Sequence, residues 1–144
     1  MEIKELLSIG SKAHIVGFGL RNGNGFGLKY EVDTSVVKDI STSLSYDAKT
    51  EVAIGGDGKD SCNGDSGGPV YGQLKSGAWR VYGITSRGGS CGTGGIYGLI
   101  HANICWVQKD SGIDLKLPAG LCGDVATPAD PNITADNNTA NSGN

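Results

Sequence analysis

Ser66 stands in the run Gly64-Asp65-Ser66-Gly67-Gly68-Pro69, between glycines and directly after an acid. Gly67, Gly68 and Pro69 in succession exclude a regular helix, because glycine gives up the most backbone entropy and proline lacks the N–H. The segment is therefore a tight loop that can expose a hydroxyl and aim backbone N–H groups at a neighbouring oxygen. An acyl-transfer nucleophile and its oxyanion hole need that arrangement. The shorter pattern Gly64-x-Ser66-x-Gly68 also raises a nucleophile elbow, in which the serine leads into a helix and an acid, then a histidine, follow. His101 does follow Ser66, but no Asp or Glu lies between them, and Gly67-Gly68-Pro69 forbids the helix. The elbow reading fails on both counts.

Short strands must carry this loop. The 144 residues suffice for one core, and 25 glycines with 38% hydrophobic content favour strands and tight turns over packed helices. Residues 13–20 read as a glycine-interrupted strand, and Asn22-Gly23-Asn24-Gly25 as a hairpin turn. Tyr30–Ile40 and Lys49–Ile54 read as strands before the loop Gly55-Gly56-Asp57-Gly58. Pro69–Tyr71 and Trp79–Ile84 pair across a turn holding Lys75, Ser76 and Gly77; Ile96–Ile100 follows, and His101–Lys109 gives a short helix. The expected fold class is all-β: an antiparallel six-stranded barrel with a short C-terminal helix and a disordered tail. In that tail, 123–144, Val125 and Ile133 are the only large apolar residues, so burial cannot offset the entropy of ordering. The glycosylation sequons at Asn132 and Asn137 fall there and read as chance matches in an Asn/Thr-rich stretch.

Composition excludes several classes. The net charge is −3 with no basic cluster, which argues against a nucleic-acid partner, and no apolar run approaches membrane-spanning length. Cys62, Cys91, Cys105 and Cys122 allow three disulfide pairings and fit no Cys-x-x-Cys metal pattern. With His14 and His101 the only histidines, neither a metal site nor a cofactor is expected. Disulfides imply an oxidising, extracellular compartment. Yet Met1–Leu7 carries Glu2 and Glu5 and too short an apolar run for an export signal. The expectation is a piece of a longer secreted precursor.

Twelve consecutive positions from Lys59 to Val70 resemble the nucleophile segment of the trypsin/chymotrypsin family of serine endopeptidases. Gly83-Ile84-Thr85-Ser86, Cys91, Gly95-Ile96-Tyr97 and Trp106 follow in the family's order. The resemblance covers residues 13–108 and implies the second, C-terminal β-barrel only. Residues 1–12 are then an N-terminal extension, 13–122 the barrel domain and 123–144 the tail. The resemblance implies Ser66 as catalytic nucleophile and the N–H groups of Gly64 and Ser66 as oxyanion hole. It makes Asp65 the structural acid that takes a freed α-amino group. Asp60 becomes the base of the specificity pocket, selecting Lys or Arg; Asn63 lies at its rim, and Ser86, Gly88 and Gly95 form its substrate-binding walls. It also implies the disulfides Cys62–Cys91 and, with it, Cys105–Cys122. Arg87 departs from the pattern, standing where a tryptophan is common, and is expected to repel basic substrate residues at neighbouring subsites.

The family's catalytic His and Asp belong to a first barrel that nothing here resembles. His14, at the head of the first strand, and His101, opening the final segment, are expected to be locally satisfied or solvent-facing. The implied function is endopeptidase action by acyl transfer through Ser66, with this chain alone inactive until a first barrel or partner chain supplies the base. The expected partners are protein or peptide substrates with Lys or Arg and that missing barrel, with no nucleic acid and no membrane. The rival is a non-catalytic protease homologue or orphan half-domain acting as a binding module. The joint presence of Asp60, Gly64, Asp65 and Ser66 weighs against it.

Overall fold

A computed structural model describes residues 3–21, 25–40 and 44–123. The turn expected at Asn22-Gly23-Asn24 and the tail and sequons expected beyond residue 123 lie outside the described residues. The elements in chain order are helix α1 (Ile3–Leu6) and strands β1 (Lys12–Gly17), β2 (Tyr30–Val37), β3 (Glu51–Ile54), β4 (Pro69–Gln73), β5 (Trp79–Gly88) and β6 (Gly95–Leu99). Helix α2 (Ile100–Ser111) follows. Residues up to Ile104 form one compact unit and those from Cys105 onward a second.

The six strands close into an antiparallel barrel in the order β1-β2-β3-β6-β5-β4, with β4 returning to β1. Alternation makes this possible on β1, where Ala13 and Ile15 point inward, while β3 and β6 are buried almost throughout. The core joins Ala13, Ile15, Val36, Val52, Ile54, Val70, Tyr82, Tyr97 and Leu99, and Leu6 of α1 packs into it. The β4–β5 hairpin turns at Lys75-Ser76-Gly77, with Gly77 N–H donating to the Leu74 carbonyl at 2.8 Å. Outward on β5, Trp79, Val81 and Ile84 remain exposed.

Strand ends differ from the sequence reading by a few residues, for local reasons. β1 stops at Gly17 rather than residue 20, because the chain there turns to meet Asp65. β5 continues to Gly88 through a register shift between Thr85 and Arg87, so the segment around Ser86 belongs to a strand. In the second unit, Cys105 and Cys122 form a disulfide, and Leu115 N–H donates to Gln108 Oε1 at 2.9 Å.

Candidate active site

The loop bearing Ser66 is built by hydrogen bonds that a four-residue turn makes possible. Asp65 N–H donates to the Cys62 carbonyl at 3.1 Å, with Gly64 between them at φ +95°. That left-handed backbone suits glycine alone among ordinary choices, and a Cβ there would lie 2.7 Å from ring carbons of Phe26. The Asn63 carbonyl accepts Leu20 N–H at 2.8 Å. Because the peptide is trans, Gly64 N–H must point the opposite way. Among the described residues, neither Gly64 N–H, nor Ser66 N–H, nor the Ser66 hydroxyl has a hydrogen-bond partner. Ser66 itself is exposed. The next amides are committed: Gly67 N–H donates to the Thr85 carbonyl and Gly68 N–H to the Asp65 carbonyl, each at 2.9 Å. An exposed hydroxyl and two donors that no described residue engages are thus held on a loop fastened to β5.

Two carboxylates anchor this loop from beneath. Asp65 Oδ1 accepts Gly19 N–H and Oδ2 accepts Cys62 N–H, both at 2.8 Å. Asp60 Oδ1 accepts Gly92 N–H at 2.5 Å and Oδ2 accepts Gly94 N–H at 2.7 Å. Neither acid forms an ion pair with a described residue. Both line one cavity of about 370 Å³, which Glu31, Arg21, Gly17 and Gly19 also border. The disulfide Cys62–Cys91 joins the segment bearing Asp60 and Asp65 to the segment bearing Gly92 and Gly94. Ser61, beside Asp60, is fixed through its Oγ, 2.8 Å from the Tyr97 hydroxyl, and burial pushes that phenol above its ordinary range.

The other sequence-chosen residues, Gly88, Gly95, Ser86 and Asn63, do not line the cavity that Asp60 and Asp65 share. Gly88 and Gly95 face each other directly across β5 and β6, so neither side of that pair carries a side chain. Ser86 falls in the register shift, opposite no β6 residue, and is exposed. Asn63 is exposed at the turn, its carbonyl turned to Leu20.

Arg87 requires a correction. Its guanidinium clasps Glu51, Nη1 on Oε1 and Nη2 on Oε2 at 3.0 Å, and Nη2 also reaches the Ser45 carbonyl at 3.0 Å. The pairing holds the Glu51 carboxyl below its ordinary range and neutralises the cation, so Arg87 presents no free charge to a basic substrate. His14 lies within β1 with Nδ1 2.7 Å from Asp33 Oδ1, and His101 is exposed on α2. Neither hydrogen-bonds Ser66.

Sequence reasoning passed over Gly19, Gly92, Gly94 and Glu51. The first three act through backbone N–H groups, which leave no side-chain signature. Glu51 carried a usable signal as an acid on a strand near an unexplained arginine, but the β5 register shift hid which residue it faces.

The family model described as Trypsin matches residues 3–107. CLIP domain-containing serine protease B4 of Anopheles gambiae is 37% identical over 92 residues, covering 58% of this chain and 25% of that protein. Chymotrypsin-C of Rattus norvegicus is 58% identical over 45 residues, 31% of this chain and 17% of its own length. Mannan-binding lectin serine protease 1 of Homo sapiens is 42% identical over 60 residues, 39% of this chain and 9% of that protein. The chain spans a quarter or less of the length of these three relatives.

Proposed function

The chain belongs to the trypsin family, and on that premise we propose that it is the nucleophile-bearing half of a serine endopeptidase that cleaves after Lys or Arg. One observation carries the reading: the loop that exposes Ser66 also leaves the N–H groups of Gly64 and Ser66 without an acceptor among the described residues. Ser66 attacks the scissile carbonyl, the two amides receive the negative charge that develops on its oxygen, and water releases the acyl-enzyme. One such donor contributes about 3–4 kcal/mol to the transition state.

Asp60 takes the cationic side chain, between the bare glycines Gly88 and Gly95 and with Ser86 and Asn63 at the margins. Asp65 takes an α-ammonium in the cavity of about 370 Å³, where each of its oxygens has one lone pair beyond the bond to Gly19 or Cys62. The general base comes from a first barrel, encoded upstream or carried on a partner chain. The exposed row of Trp79, Val81 and Ile84 is apolar surface such a partner would cover. Two disulfides fit a secreted protein.

A fluorophosphonate probe tests the reading. Residues 1–144 alone should label slowly, because a serine without a base is a weak nucleophile. The longer product read through from upstream of Met1 should label fast at Ser66 and lose the label in Ser66→Ala. Slow labelling in both would leave the binding-module rival standing.

A further inference from the structure

The way Asp60 is held bears on which cation its pocket takes. A carboxylate meets a guanidinium or amidinium best as a fork, two parallel N–H donors across its two oxygens, whereas an ammonium is a point charge that one oxygen lone pair satisfies. Here a single four-residue segment, Cys91–Gly94, delivers one N–H to each oxygen of Asp60, Gly92 to Oδ1 at 2.5 Å and Gly94 to Oδ2 at 2.7 Å. One short segment thus engages both oxygens at once, so a planar fork meeting the carboxylate would have to share each oxygen with a backbone amide.

The segment cannot easily withdraw. Cys91 is bonded to Cys62, two residues from Asp60. Gly58 N–H donates to the Gly92 carbonyl at 2.9 Å, and Thr93 N–H to the Ser90 carbonyl at 3.1 Å. Gly94, at φ +94°, is wedged so that a Cβ would lie 2.6 Å from Ile40 Cγ2 and 3.0 Å from the Gly55 carbonyl oxygen.

We infer that Gly92 and Gly94 are specificity-positioning residues whose amides occupy the bidentate face of Asp60, so that the pocket prefers a lysine-type ammonium over an arginine-type fork. The inference rests on the reading of Asp60 as the pocket base and narrows it from basic side chains to lysine.

Two matched probes separate the possibilities without requiring catalysis: benzylamine, an ammonium, and benzamidine, a planar amidinium, titrated against the full chain by calorimetry and NMR. The expected result is benzylamine binding at least about threefold tighter, with Asp60→Asn weakening both probes. Gly94→Ala displaces one amide and should move the ratio toward benzamidine while Asp60 remains. That shift in ratio is one a general loss of structure would not produce, since unfolding weakens both probes together. If Gly94→Ala fails to fold, the wild-type ratio still decides. Benzamidine binding tighter than benzylamine, with both weakened by Asp60→Asn, overturns the lysine preference and leaves the pocket reading intact. Binding of neither probe, or binding indifferent to Asp60→Asn, overturns the pocket reading and the preference with it.

Discussion

Two sets of acids in this barrel are satisfied in opposite ways. Asp60 and Asp65, beside the loop bearing Ser66, receive two backbone N–H groups each and, among the described residues, no side-chain cation. Glu51 and Asp33, on the strands outside it, are paired with the side chains of Arg87 and His14. Backbone amides satisfy hydrogen-bonding capacity without cancelling charge, whereas a guanidinium cancels it. The loop region therefore keeps a negative field available to a cation, whereas Glu51 has its charge met by the Arg87 guanidinium. The two sets also differ in what their removal leaves behind. Deleting a loop acid strands amides that have nowhere else to turn; deleting a strand acid frees a side chain to reach water.

Asp65→Ala should produce the largest loss. Removing the carboxylate leaves Gly19 N–H and Cys62 N–H without acceptors in a half-buried site, which costs about 3 kcal/mol. Urea unfolding with the disulfides intact measures it as a drop in midpoint at constant slope. Asp65→Asn should recover part of the loss, since its amide oxygen still accepts one bond. A loss below about 0.5 kcal/mol would erase the distinction between the two sets of acids.

Tyr97→Phe comes next. The phenol is buried, and its hydroxyl meets both Ser61 Oγ at 2.8 Å and Ser61 N–H at 3.3 Å. Replacing it strands Ser61 beside Asp60 while leaving the ring's packing, for an expected loss of about 1–2 kcal/mol. Cation affinity at Asp60 should fall along with stability if the ring is what fixes the pocket floor; unchanged benzylamine binding would detach Tyr97 from the pocket.

Arg87→Ala should matter less, about 0.5 kcal/mol, because the guanidinium is partly exposed and the attraction is screened. High salt should shrink the difference further, while leaving the Asp65→Ala loss in place, since that loss is one of unmet hydrogen bonds. Equal salt sensitivity in the two variants would remove the physical basis of the contrast.

The sequence displayed much of this arrangement and concealed a specific part of it. The barrel was legible because β-branched and aromatic runs alternate between glycine-rich turns, and because Gly67-Gly68-Pro69 excludes a helix after Ser66. The candidate roles of Ser66, Gly64, Asp65 and Asp60 rest on a motif of side chains and glycines that the sequence displays. The donors that hold Asp60 and Asp65 were not, because any residue but proline carries an N–H, and only the path of the chain decides where it points. Arg87 was misread for a related reason: the shift between Thr85 and Arg87 resets which neighbours each residue meets, so its partner Glu51 could not be found by counting along an ideal strand.

The smallest effect concerns pH and isolates the outer set. Asp33 accepts a hydrogen bond from His14, which holds its carboxyl below the ordinary value of 3.8. A carboxyl depressed in the folded state contributes stability that is present above its unfolded value and is lost as pH falls through the folded one. Glu51, held down by Arg87 from an ordinary 4.5, has the same sign. Acidification from about pH 6 to about pH 3 should therefore lower the urea midpoint of the wild type slightly more than that of Asp33→Asn, and more again than that of Asp33→Asn with Glu51→Gln. The differences stay small because Asp33 is largely exposed to solvent. Identical pH slopes in all three proteins would mean that the strand pairs contribute nothing, and that acid sensitivity resides elsewhere in the barrel.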